Sequence, residues 1–162
     1  MAVAVVLTER MSLLTDARAR NYERLRECVA GASGDAVEVA HYEEVDPEWL
    51  RRASSVVLSG SSAPWSAHDP AELDRLGDAV LAAGRPVLGI CAGMQLQAVF
   101  AGGSIGRSRT GEHGYLPIRI HDRADLLHGL PSKAVVFHDH DDEVVDLPEG
   151  FRVLASILDC SV

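Results

Sequence analysis

The segment that most constrains this chain is Gly89-Ile90-Cys91-Ala92-Gly93, a cysteine between two glycines where an extended apolar run, Val87 to Ile90, meets a helical pattern, Ala92 to about Phe100. A strand that becomes a helix across one residue crowds its backbone and strains that residue's φ/ψ, and small neighbours are what leave room for it. The pattern predicts a nucleophile elbow with the Cys91 thiol lifted out of a sheet. At the amino end of a helix, the dipole and unpaired N–H groups favour the thiolate. The backbone N–H that follows, that of Ala92, can stabilise an oxyanion. Free cysteine is also among the most buried residue types. That structural role suits Cys28, inside a helical pattern, and Cys160, near the chain's end, better than the bracketed Cys91.

Around the elbow, aliphatic runs alternate with helical patterns, which predicts an α/β fold with an open, mostly parallel sheet flanked by helices. Ala2 to Leu7 reads as the first strand. Thr15 or Asp16 caps a helix through about Ala30 with Tyr22, Leu25 and Val29 inward, ended by Gly31 and Gly34. Ala36 to Ala40 is a second strand and Pro47 to Arg52 a short helix. Ser55 to Leu58 is a third strand running into Ser59-Gly60-Ser61-Ser62, at a strand's carboxyl end, where open α/β sheets bind ligands. Asp69 as N-cap, Pro70 at the first helical position and Glu72 completing a capping box open another helix. Its expected buried stripe is Leu73, Leu76, Val80 and Leu81, and Gly84 and Pro86 stop it. Beyond Gly102 the pattern turns extended, with strands expected at Tyr115 to Ile120, Ala134 to Phe137 and Phe151 to Ser156.

Composition narrows the function classes. At 162 residues and 47% hydrophobic content, one domain spanning 1–162 with one core is expected. A formal charge of -9 repels phosphate backbones, so nucleic acid is not an expected partner. No apolar run approaches the roughly 20 residues of a membrane span, and Met1 to Leu7 carries no basic leader, so a cytoplasmic protein is expected. Three widely separated cysteines make neither a disulfide framework nor a zinc knuckle.

Gly89-Ile90-Cys91-Ala92-Gly93-Met94-Gln95-Leu96 closely resembles the nucleophile motif of class I glutamine amidotransferases, and three further segments fall in that family's order. Val57-Leu58-Ser59-Gly60 resembles its oxyanion strand, with Gly60-Ser61-Ser62-Ala63-Pro64 in place of a Gly-Gly-Pro ending. Glu112-His113-Gly114-Tyr115 resembles its Glu-aromatic-Gly segment. Val136-Phe137-His138-Asp139-His140-Asp141-Asp142-Glu143-Val144, followed by Leu147-Pro148-Glu149-Gly150-Phe151, resembles the Ser-His-Gly-Asp-x-Val and Pro-x-Gly-Phe stretch of the family's GMP synthetase type.

The resemblance implies a flavodoxin-like three-layer fold and glutaminase chemistry. A cysteine attacks the side-chain amide of glutamine, ammonia leaves, and water releases glutamate from the thioester, with a histidine as base and acid and a glutamate orienting it. It implies Cys91 as nucleophile and the N–H groups of Ala92 and of Gly60 or Ser61 as oxyanion donors. It places Gln95 against glutamine and Asp139, His140 and Asp141 against its α-amino and α-carboxylate groups. No cofactor is expected. The chain has no Gly-x-x-x-x-Gly-Lys-Ser loop, so a synthetase partner is implied for the ammonia, with self-association as the other expected assembly.

The chain departs from the family at several points. Ser61 and Asp141 stand where the family has glycine, and the added carboxylate would repel a substrate carboxylate. The family's His-Pro-Glu segment is expected about 15 to 20 residues after Phe151 to Ser156, the length of a strand and its connections. No His-Pro-Glu occurs in these 162 residues. The expectation is therefore a domain without the last strand and helix of the fold: a piece of a working glutaminase, an amidotransferase-like protein with a binding or regulatory role, or a scaffold that turns Cys91 on another acyl substrate. His113, His138 and His140 are the candidates for a substitute base, while His41, His68, His121 and His128 read as solvated. His138-Asp139-His140-Asp141-Asp142 also fits a His-x-His-x-Asp zinc spacing, alternate histidines of a strand sharing one side. With no further ligands expected in the 20 residues after it, an acidic turn outweighs a metal site, and none is expected.

Overall fold

A computed structural model of the chain describes residues 1–157; Cys160 lies outside them. The fold is α/β, and the chain divides into two compact units, Met1–Phe100 and Ala101–Val162.

The first unit carries a parallel sheet of β1 (Ala2–Leu7), β2 (Ala36–His41), β3 (Ser55–Leu58) and β4 (Val87–Gly89), in the order β2-β1-β3-β4. Its helices are α1 (Asp16–Ser33), α2 (Pro47–Arg52), α3 (Pro70–Ala83) and α4 (Ala92–Phe100). Alternation along β1 sorts the core into two clusters, because successive side chains point to opposite faces. Val3 and Val5, with Val57 of β3, pack against Leu25 and Val29 of α1. Ala4 and Val6, with Val56 and Leu58, pack against Leu50 of α2, Leu76 and Val80 of α3 and Leu96 of α4. Helices thus cover both faces, giving the three layers that the resemblance implied.

Local signals set most boundaries, with three differences. The Thr15 side chain caps α1, which runs through Gly31 and ends at Gly34, whose φ of 69° suits a residue without a Cβ. Asp69 caps α3 by accepting from the Ala71 N–H, but the Glu72 carboxylate leaves the capping box and takes the Arg10 guanidinium at 3.3 Å. Leu81 faces outward, and Gly77 and Ala79 share the inner face with Leu76 and Val80. Gly77 is inside because α3 meets α4 there: an added Cβ would lie 2.6 Å from the Phe100 ring.

The second unit is an antiparallel sheet, order β6-β5-β7, of β5 (Ser104–Ile120), β6 (Lys133–Asp146) and β7 (Ala155–Ser156). The first two are far longer than the expected strands, and the third is shorter. Apolar runs mark only the end of this ribbon next to the connection between its strands; backbone pairing carries it on through polar residues, with a register shift between Arg107 and Glu112. No helix among the described residues is long and apolar enough to cross a membrane.

Candidate active site

Cys91 follows β4 by one residue and precedes α4, and its φ is 51°; no other described non-glycine residue has a positive φ. A β-carbon in that region is strained, and such strain concentrates at functional sites. The turn is closed by the Ile90 N–H to the Leu58 carbonyl at 3.0 Å and by the Met94 and Gln95 N–H groups to the Cys91 carbonyl at 2.9 and 3.1 Å. Both flanking glycines are steric requirements. A Cβ at Gly89 would sit 2.5 Å from the Met94 backbone, and one at Gly93 would collide with the Leu58 carbonyl oxygen. Cys91 is exposed, as a nucleophile must be, and Ala92 opens α4, where an N–H has no helical acceptor. Cys28 is exposed too, rather than buried within its helix.

The loop after β3 comes up beside the elbow. A Cβ on Gly60 would meet the Cys91 Cβ at 3.4 Å, so the loop backbone runs beside the nucleophile candidate and glycine leaves the space between them open. Three groups hold the loop. Thr8 binds Ser59 twice, through its N–H to Oγ at 2.9 Å and through its hydroxyl to the carbonyl at 2.7 Å. The Gly60 carbonyl accepts from the Tyr22 hydroxyl at 3.1 Å and the Ser59 hydroxyl at 2.9 Å. A trans peptide directs its N–H opposite its carbonyl, so these bonds turn the Ser61 N–H away from Tyr22. Glu9, fully buried, accepts from the Ser61 hydroxyl at 3.1 Å and from the Ser62 N–H and hydroxyl at 3.1 and 2.6 Å, with Arg18 3.7 Å away.

Burial pushes the Glu9 carboxyl up, but the Ser62 hydrogen bonds, the Arg18 charge and the Ser61 hydroxyl outweigh it and hold it below the usual carboxylate value. Tyr22 is pushed up to about 12, first by burial and then by the Glu9 charge, with Cys91 adding a smaller push, so its phenol remains a donor at neutral pH. Gln95 is buried on α4. Tyr22 was legible as an inward residue but not as a donor, and Glu9 went unnoticed. Its signal was an acid two residues past the last apolar residue of β1, at the carboxyl end of the sheet.

In the second unit, Glu112 pairs with His140 and His113 with Asp139 in the β5–β6 register, and the two pairs face opposite ways. Glu112, His138 and His140 converge on the buried side, with His138 Nδ1 and His140 Nε2 at 3.0 and 3.1 Å from Glu112 Oε2. His113 meets Asp139 at 3.0 Å and Asp141 at 3.3 Å on the exposed side, where Arg107 also reaches Asp141. The Asp139 hydrogen bond, then Asp141 against a little desolvation, raises His113 above its ordinary value. The strand therefore separates His140 from Asp139 and Asp141, three residues named together for the substrate's α-groups. Two histidines expected to be solvated are buried instead. His68 folds back under Trp65 and bonds the Tyr42 hydroxyl through Nδ1 at 3.1 Å, and His41 accepts the Glu43 N–H at 3.3 Å.

Comparison with known proteins bears on these two regions together. Residues 14–162 match the family model described as glutamine amidotransferase class-I. The chain is 36% identical over 121 residues to the GMP synthase (glutamine-hydrolysing) of Syntrophomonas wolfei, covering 75% of this chain and 22% of that protein. It is 46% identical over 77 residues to a GMP synthase (glutamine-hydrolysing) subunit of Thermococcus kodakarensis, covering 48% of this chain and 41% of that one. Among solved structures, a protein described as a GMP synthase subunit from Thermoplasma acidophilum superposes with a TM-score of 0.76 at 25% identity, over 98% of this chain and 74% of its own. A glutamine amidotransferase from Thermotoga maritima shares the fold with a TM-score of 0.73 at 20% identity, over 98% and 68%. The chain thus spans about a fifth of the Syntrophomonas synthase and two fifths of the Thermococcus protein.

Proposed function

The chain belongs to the glutamine amidotransferase class-I family, and from that premise we propose that it is a glutaminase domain in which Cys91 opens glutamine's side-chain amide and the ammonia passes to a synthetase partner. The observation that carries the reading is the Cys91 backbone: an exposed thiol at a φ of 51°, at the start of a helix, with a glycine loop against its Cβ.

The Cys91 sulfur attacks the amide carbon and forms a C–S bond as the C–N bond breaks; the thiol proton leaves with the nitrogen as ammonia. Water then adds to the γ-glutamyl thioester, the C–S bond breaks, glutamate departs and the thiol is restored. In both halves charge develops on the carbonyl oxygen. The Ala92 N–H and the Ser61 N–H, whose peptide is fixed by Tyr22 and Ser59, are the donors assigned to it. Gln95 supports the glutamine pocket from α4. The family match runs through both compact units, which supports reading 1–162 as one amidotransferase domain. The Thermococcus relative, named as one subunit of a GMP synthase, supports a separate synthetase chain as the ammonia acceptor.

The test is glutamate release from glutamine by the chain, alone and with a synthetase chain of the GMP synthase type, against Cys91→Ala. Release by the wild type that disappears in Cys91→Ala is the expected result. Equal release by both proteins would sink the assignment.

A further inference from the structure

We propose that Glu112, His138 and His140 form a binding site for a divalent transition-metal ion of the zinc class. This goes beyond the glutaminase reading and does not depend on Cys91.

Three observations converge. First, the ribbon places the residues together by its own geometry: Glu112 and His140 are cross-strand partners, and His138, two residues away on the same strand, shares their face. The His-x-His spacing alone had offered two ligands with none downstream. The third comes from upstream, on the neighbouring strand. Second, the donor atoms have the spacing of a coordination face. Glu112 Oε2 lies 3.0 Å from His138 Nδ1 and 3.1 Å from His140 Nε2, and the two nitrogens are 3.5 Å apart. Donors around a tetrahedral ion with bonds of about 2.0–2.1 Å are separated by about 3.3 Å. Two imidazoles and a carboxylate are a donor set that zinc accepts, leaving a fourth position for water.

Third, the cluster lacks a fixed cation. Glu112 is 3% exposed, and no Lys or Arg among the described residues pairs with it. Its Oε1, with His138 Nε2 and His140 Nδ1, is buried without a hydrogen-bond partner among those residues. A buried carboxylate with no fixed cation beside it is costly, and an ion bound at Oε2 compensates its charge. The neighbouring His113, Asp139 and Asp141 satisfy one another on the exposed face and make no such demand. An ion held here also occupies the lone pairs of His138 and His140, so neither serves as a base while it is bound.

The test is titration of the full chain, stripped with a chelator, with Zn(II) alone and with Co(II) alone, followed by calorimetry and visible absorption. The expected result is one ion per chain and a four-coordinate Co(II) spectrum without a thiolate charge-transfer band. His138→Ala and Glu112→Gln should weaken binding by more than about 100-fold, beyond the usual loss for an outer-shell partner. Cys91→Ala and His113→Ala should bind as the wild type does. No stoichiometric binding, binding that survives His138→Ala, or binding lost in Cys91→Ala or His113→Ala overturns the site. Should either ligand variant fail to fold by circular dichroism, X-ray absorption of the Zn(II)-loaded wild type decides. Two imidazoles and no sulfur support the site; sulfur, or fewer than two imidazoles, refutes it. Since no readout is glutaminase activity, failure here leaves the Cys91 reading standing, and the converse holds.

Discussion

Glu9 and Tyr22 take no part in the proposed chemistry, yet they fix the loop assigned to it beside Cys91. Replacing the buried Glu9 carboxylate by Gln weakens three hydrogen bonds to Ser61 and Ser62 and is expected to cost about 1–3 kcal/mol, read as a lower urea midpoint. The folded-state value of Glu9 lies below its ordinary 4.5, so its stabilisation is complete above that pH and is lost as pH falls through the lower folded value. The Tm gap between wild type and Glu9→Gln should therefore be constant near neutrality and close in acid; a gap that widens in acid would contradict the clamp. Tyr22→Phe removes one of two bonds to the Gly60 carbonyl, worth about 1 kcal/mol, and should lower kcat roughly fivefold with little change in KM. An unchanged kcat would show that Ser59 alone orients that peptide.

Among the elements, the elbow is where sequence and structure agree most closely, because its constraint is steric and local. Gly93→Ala drives a methyl into the Leu58 carbonyl, a backbone atom already committed to the Ile90 N–H. Gly77→Ala meets the Phe100 ring first, a side chain rather than backbone. Chemical denaturation should show Gly93→Ala as the more destabilising by about 1–3 kcal/mol, and the reverse order would undercut the steric account of the motif. Caps and stops were equally legible: Thr15 and Asp69 cap helices, and Gly34 and Gly84 end them. What eluded sequence reading was set by tertiary neighbours. Arg10 draws Glu72 out of its capping box, Phe100 makes Gly77 an inward residue, and backbone pairing lengthens β5 and β6 through polar segments without an apolar signal.

At the scale of the molecule, the alternation of runs was enough for the α/β class, and the motif order was enough for the family. The geometry of the candidate site was legible where one short segment builds it, as in the turn at Cys91 and Ala92 and the Gly60 loop, and obscure where strands far apart in sequence meet. No spacing rule joins Glu9 to Ser62, or Glu112 to His138, before the sheets are assembled. The central claim concerns one bond to Cys91, and intact-mass spectrometry after incubation with glutamine and acid quench tests it most directly. The account predicts an added γ-glutamyl group on the wild-type chain, mapped to Cys91 and absent from Cys91→Ala. An adduct on another residue, or wild-type glutamate release with the same adduct in Cys91→Ala, would contradict it.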